Sequence, residues 1–118
     1  MLRGLWIAYW MGLFLLTHSP KVPGVAPRIP QLDKLVHAAL FCGLTLLGGR
    51  ALRLASRPGR LRKVALWALI YAGYAAADEW LQQFVGRTPD LLDWLADGVG
   101  IVAGSAILLL RVRRSPTP

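Results

Sequence analysis

The chain has 118 residues, 55% of them hydrophobic, and fourteen Lys and Arg against six Asp and Glu give a net charge of +8. That length suits one domain, here taken as residues 1–118, and a mean hydropathy of +0.46 is more than a single aqueous core would hide. The one cysteine, Cys42, lies in an apolar run and excludes an intrachain disulfide.

Four apolar stretches follow one another, and each approaches the roughly 20 residues that a helix needs to cross a bilayer. The first, Leu2 to Thr17 or His18, is the shortest. It has Arg3 ahead of its apolar run, so a cleaved signal peptide is an alternative reading, although no small-x-small cleavage site follows. Ser19 to Pro30 holds Pro20, Pro23, Pro27 and Pro30 and reads as an extended connection, with Pro30 suited to open the second helix, 32–49. Arg50, Arg53, Arg57, Arg60, Arg62 and Lys63 surround Pro58 and Gly59 in a basic loop that cannot lie in hydrocarbon. The third helix is expected over 64–85. A tight turn, Gly86 to Asp90, then leads into the fourth, 91–110, with Thr88 as cap, Pro89 at the first helical position and Asp90 facing the positive helix start. The last two helices should form a hairpin, and the tail Ser115 to Pro118 should be disordered. The fold expected is all-α: a four-helix transmembrane bundle.

Orientation follows from the basic residues, which accumulate on the cytoplasmic side of short loops. With both termini inside, Arg3, the six residues of the central loop, Arg111, Arg113 and Arg114 make ten inside, against Lys21, Arg28, Lys34 and Arg87 outside. This assignment does not use the acidic residues. Even so, Asp33, Asp78, Glu79, Asp90, Asp93 and Asp97 all fall in the outer half, with His18 and His37. The basic loop suits topology and contact with anionic lipid, and no nucleic-acid partner is expected.

At 1.5 Å of rise per residue, His37 lies about 20 Å out from Arg50, Asp78 about 22 Å from Lys63, Asp97 about 21 Å from Arg111 and His18 about 22 Å from Arg3. These four share one layer, with Asp33, Lys34, Gln82 and Asp93 about a turn above it. Asp33 with His37, Asp78 with Gln82, Glu79 with Gln83, and Asp93 with Asp97 are i,i+4 pairs on common helix faces. Ionisable groups at this depth face a bundle interior or a wet cavity, so a functional site is the first reading; the alternative is charge pairing that only locks helices together. Gly100 and Gly104 form a GxxxG suited to packing within the chain, and Gly4, Ala8 and Gly12 repeat at i+4. Trp6, Trp10, Trp80 and Trp94 lie near helix ends, where indoles favour the membrane interface, and Trp67 lies near the inner end of the third helix.

Two segments resemble the VanZ-like family of small bacterial membrane proteins. Asp33-Lys34-Leu35-Val36-His37-Ala38-Ala39-Leu40-Phe41 is similar to that family's D-K-x-x-H-x-x-x-F. Asp78-Glu79 through Gln82, Phe84, Gly86 and Arg87 to Asp93, Asp97, Gly100 and Gly104 resembles D-E-x-x-Q-x-F-x-P-G-R followed by D-x-x-x-N/D-x-x-G-x-x-x-G. The chain departs in lacking the proline before Gly86 and in carrying Asp97 where asparagine is common. The resemblance implies a multi-pass protein of the bacterial cytoplasmic membrane whose namesake contributes to low-level teicoplanin resistance.

The function expected is an outward-facing site that binds or modifies a lipid headgroup, a lipid-linked envelope intermediate or a lipophilic glycopeptide. Lys34 and Arg87 suit phosphate or carboxylate, with Asp33, Gln82, Asp93 and Asp97 lining the site; His37 and Asp78 or Glu79 are the acid and base candidates. Whether a substrate is turned over stays open. No cofactor is otherwise expected, although histidine and carboxylates also match the ligand types of a divalent cation. A non-catalytic accessory protein whose polar layer only packs the helices is the alternative. Proton or ion movement fits poorly, because the inner half offers no second part of a pathway.

Overall fold

A computed structural model describes residues 1–19, 31–56 and 58–113, without the side chains of 112 and 113. The proline-rich connection with Lys21 and Arg28, together with Arg57, Arg114 and the tail, lies outside the described residues.

The described chain is all-helical, as the apolar runs predict. The helices are α1 (Leu2–Thr17), α2 (Leu32–Ala51), α3 (Arg60–Leu81) and α4 (Leu91–Arg113), and a 3-10 turn, Gln82–Val85, extends α3. Among them, α2 and the Leu91–Arg111 part of α4 are long and apolar enough to cross a membrane. α1 is apolar but has only 16 residues. α3 begins with Arg60, Arg62 and Lys63 and carries Asp78 and Glu79 near its end, which lowers its hydropathy.

The ends of α3 and the cap of α4 differ from the sequence expectation. α3 starts at Arg60 instead of Val64, its first turn built from residues assigned to the basic loop. Its far end tightens into the 3-10 turn, closed by Gly86 at φ 75°, a left-handed conformation that a Cβ disfavours. α4 starts at Leu91, as expected, but its cap is Asp90, whose Oδ1 accepts the Leu92 N–H at 2.9 Å; Thr88 and Pro89 precede the helix. At the end of α2, Leu54 N–H reaches the Gly49 carbonyl and Arg53 N–H the Arg50 carbonyl. This is a Schellman closure with Arg53 at φ 53°, where glycine is usual.

Contact registers fix the helix directions. Tyr9 donates to the Leu40 carbonyl and Trp6 lies beside Gly48, so α1 and α2 are antiparallel. Trp94 donates to the Ala72 carbonyl and Asp90 N–H to Glu79, so α3 and α4 form the expected hairpin. α2 and α4 are parallel and packed most closely, with Gly100 against Ala38 and Gly104 against Thr45. A Cβ added at Gly100 would lie 2.1 Å from the Ala38 carbonyl oxygen, so the GxxxG serves packing within the chain. By contrast, Gly4 and Gly12 have open space around them.

Between α1 and α3 the aromatic residues do the spacing. Trp6 stands edge-on to Trp67, and Trp10 edge-on to Tyr71 and Tyr74, with Phe41, Leu44 and Tyr71 fully buried. Trp6 and Trp10 therefore pack inside the bundle instead of marking an interface, because indole edges complement the faces of neighbouring rings. Trp80 is exposed and packs only on Phe84.

Candidate functional site

Alternating helix directions bring the end of α1, the start of α2, the end of α3 and the start of α4 to one end of the bundle. Every residue the sequence singled out for a site lies there. They gather into two adjoining groups.

The first group joins α2 and α4. His37 is buried, and its Nδ1 lies 2.8 Å from Oδ1 of Asp97, which is 1% exposed. Its Nε2 faces Asp93 Oδ2 at 3.9 Å, beyond hydrogen-bond reach. The other Asp93 oxygen receives Lys34 Nζ at 3.3 Å, and Lys34 also lies 3.5 Å from Asp90. Asp33, one turn before His37, is half-buried and within 4.8 Å of both the His37 ring nitrogen and the Asp93 carboxylate.

The second group joins α1 and α3. Asp78, 2% exposed, accepts from Tyr74 at 3.3 Å and from Gln82 Nε2 at 3.4 Å. Thr17 Oγ1 stands 3.0 Å from both Asp78 Oδ1 and the Phe14 carbonyl, and its single proton serves one at a time. His18 Nδ1 is 2.9 Å from the Phe14 carbonyl and 3.4 Å from Asp78, and its buried Nε2 has no partner among the described residues. Gln82 also donates to Glu79 Oε2, while Glu79 Oε1 accepts the Asp90 N–H at 2.7 Å and so ties α3 to the start of α4. Arg87 donates to the Thr17 carbonyl and spans from the hairpin turn to α1.

His37 is thus partnered by Asp97 and faces Asp93, while Asp78 and Glu79 belong to the second group; among the described residues no hydrogen bond joins His37 to either. Thr17 and Tyr74 were not singled out from the sequence. Tyr74 had a signal in its i,i+4 spacing to Asp78, but Thr17 reaches Asp78 only because α1 and α3 run side by side.

All six carboxylates of the chain stand at this end, against Lys34 and Arg87 among the described cations there. Asp90, in the hairpin connection, is held below the ordinary carboxylate range, chiefly by the Leu92 N–H and further by Lys34. Beside the first group, an open groove of about 630 Å³ lies between α2 and α4, lined by Leu32, Leu35, Ala38, Ala96 and Val99, with Gln31 and Lys34 at its polar end.

Four helices, two of membrane-crossing length and apolarity, closed around a polar cluster at one end, define the class of small helical membrane proteins. Within that class the chain belongs to the VanZ/LLP1 family, whose model matches residues 5–112. Comparison with curated proteins and with solved structures gives no match.

Proposed function

We propose that the polar end of the bundle is an extracytoplasmic site that binds, and acts on, the headgroup of a membrane lipid or lipid-linked envelope intermediate, in a chain that crosses the bacterial cytoplasmic membrane four times. The observation that carries this reading is the groove between α2 and α4: apolar side chains run along the outer surface of the bundle and end at Lys34, beside Asp93 and His37. A lipid tail fits the apolar part, and its headgroup then reaches the buried cluster. The side chain of Lys34 is 34% exposed and can turn toward a phosphate while Asp93 stays in reach. His37, oriented by Asp97, is the candidate acid or base nearest the groove, while Asp78 and Glu79 stand in the adjoining group on α3. The same groove suits the lipid tail of a lipophilic glycopeptide, which would connect the family to antibiotic resistance.

A second reading, an accessory protein whose polar layer only packs helices, is favoured by the hydrogen-bonded run from Thr17 through Asp78, Gln82 and Glu79 to Asp90, which knits α1, α3 and α4. Lipid retention by the purified chain separates the two. The site reading expects that anionic lipid co-purifies, as seen by native mass spectrometry, and that Lys34→Ala and His37→Ala lose it while helicity and monodispersity persist. Retention unchanged in both folded variants, or loss of folding in both, supports packing instead.

A further inference from the structure

We propose that Asp33, His37 and Asp93 form a binding site for one divalent transition-metal cation, of the Mn²⁺ or Zn²⁺ type, at the junction of α2 and α4. One oxygen from each carboxylate and one His37 ring nitrogen already lie within 4.8 Å of one another. Ligand atoms about 2.1 Å from a common ion at tetrahedral angles stand about 3.4 Å apart, so binding requires closure of up to about 1.4 Å.

The state of His37 points independently to a ligand. The residue is 7% exposed, its Nδ1 is committed to Asp97, and its Nε2 makes no hydrogen bond among the described residues while directed at a carboxylate 3.9 Å away. Donation of Nδ1–H to Asp97 leaves the lone pair on Nε2. A carboxylate holding the far nitrogen in this way is the usual support of a metal-bound histidine. Asp93 divides its oxygens compatibly: Oδ1 takes Lys34, and Oδ2 is the one facing His37. The ligands stand on two parallel helices held in close contact by Gly100, so their spacing is set by the backbone.

Two carboxylates and one imidazole match a cation between the hard oxygen-loving and the softer nitrogen-loving ions. Three protein ligands leave coordination positions open for water or an outside oxygen. Resting on the lipid-headgroup reading, the ion explains how so acidic a cluster receives an anionic phosphate: the metal binds both.

The test is titration of the purified full chain in detergent with Mn²⁺ alone, followed by loss of the free-ion EPR signal, with Zn²⁺ as competitor. One Mn²⁺ per chain is expected. Asp33→Asn, His37→Gln and Asp93→Asn should each weaken binding at least about 10-fold, and Asp97→Asn by about 10- to 100-fold through loss of ring orientation. Asp90→Ser, which removes a neighbouring carboxylate but keeps a helix cap, should retain the wild-type affinity. Asp33 is half-buried, so its variant reads out even where the His37 variant fails to fold. Absence of Mn²⁺ and Zn²⁺ binding by the folded wild type, or binding indifferent to Asp33→Asn and Asp93→Asn, overturns the proposal. No lipid is added in this titration, so failure to bind Mn²⁺ and Zn²⁺ overturns the metal site alone, while lipid retention in the presence of a chelator tests the headgroup reading separately.

Discussion

Replacing Gly100 by alanine attacks the tightest approach in the bundle. The new Cβ would stand 2.1 Å from the Ala38 oxygen, 2.9 Å from the Ala38 carbonyl carbon and 3.0 Å from the Cys42 nitrogen, all backbone atoms that cannot rotate away. Ordinary carbon–oxygen contact is about 3.3 Å, so α2 and α4 must separate locally by about 1 Å. Overpacking of this kind costs about 1–3 kcal/mol. The control is Gly98→Ala on the same helix, where an added Cβ meets nothing within 4 Å and gains up to about 1 kcal/mol in helix propensity. The two variants should therefore differ by about 1–4 kcal/mol in stability. Reversible unfolding in mixed micelles with rising SDS, followed by tryptophan fluorescence, measures the difference. Separation at Gly100 should also lengthen the His37–Asp97 contact, because both residues lie within one turn of the clash. Equal stability of Gly100→Ala and Gly98→Ala would refute the claim that this glycine sets the distance between α2 and α4.

Arg53→Gly should stabilise the protein by about 1 kcal/mol in the same assay, since it relieves a left-handed residue in the closure of α2; a loss of stability would contradict that origin. The Asp90 carboxylate, held below its ordinary value of 3.8, contributes stability that is fully present above that value and is lost as pH falls through the lowered one. Asp90→Asn keeps a helix cap but has no charge to lose, so between about pH 6 and about pH 3 its melting temperature should fall less than that of the wild type. Parallel pH profiles for the two proteins would count against the role of Asp90.

Much of this architecture was legible in the sequence because a helix converts residue number into depth. Counting rise from basic residues placed His37, Asp78, Asp97 and His18 in one layer, and the bundle gathers them at one end. The motif Asp33-Lys34…His37 and the GxxxG of α4 correctly marked the faces that meet. Residue number does not say which helix lies beside which. His37 pairs with Asp97 because α2 and α4 are the closest neighbours, and Thr17 reaches Asp78 because α1 runs along α3; neither follows from spacing within a helix. Trp6 and Trp10 misled for a related reason. An indole near a helix end suits a membrane interface and an aromatic seam equally, and only the opposing Trp67, Tyr71 and Tyr74 decide for the seam. The start of α3 and the cap of α4 differ because basic residues in α3 look like loop, and because Asp90, not Thr88, supplies the capping oxygen.

The central claim is that the buried acidic and histidine residues serve a ligand carried by the membrane. A high-resolution structure of the chain in lipid, inspected at the groove between α2 and α4, tests it most directly. The account predicts an acyl chain along Leu35, Ala38 and Val99 with its polar head at Lys34, Asp93 and His37. A closed, dry groove with the same residues paired only to one another would contradict it and leave the cluster as helix packing.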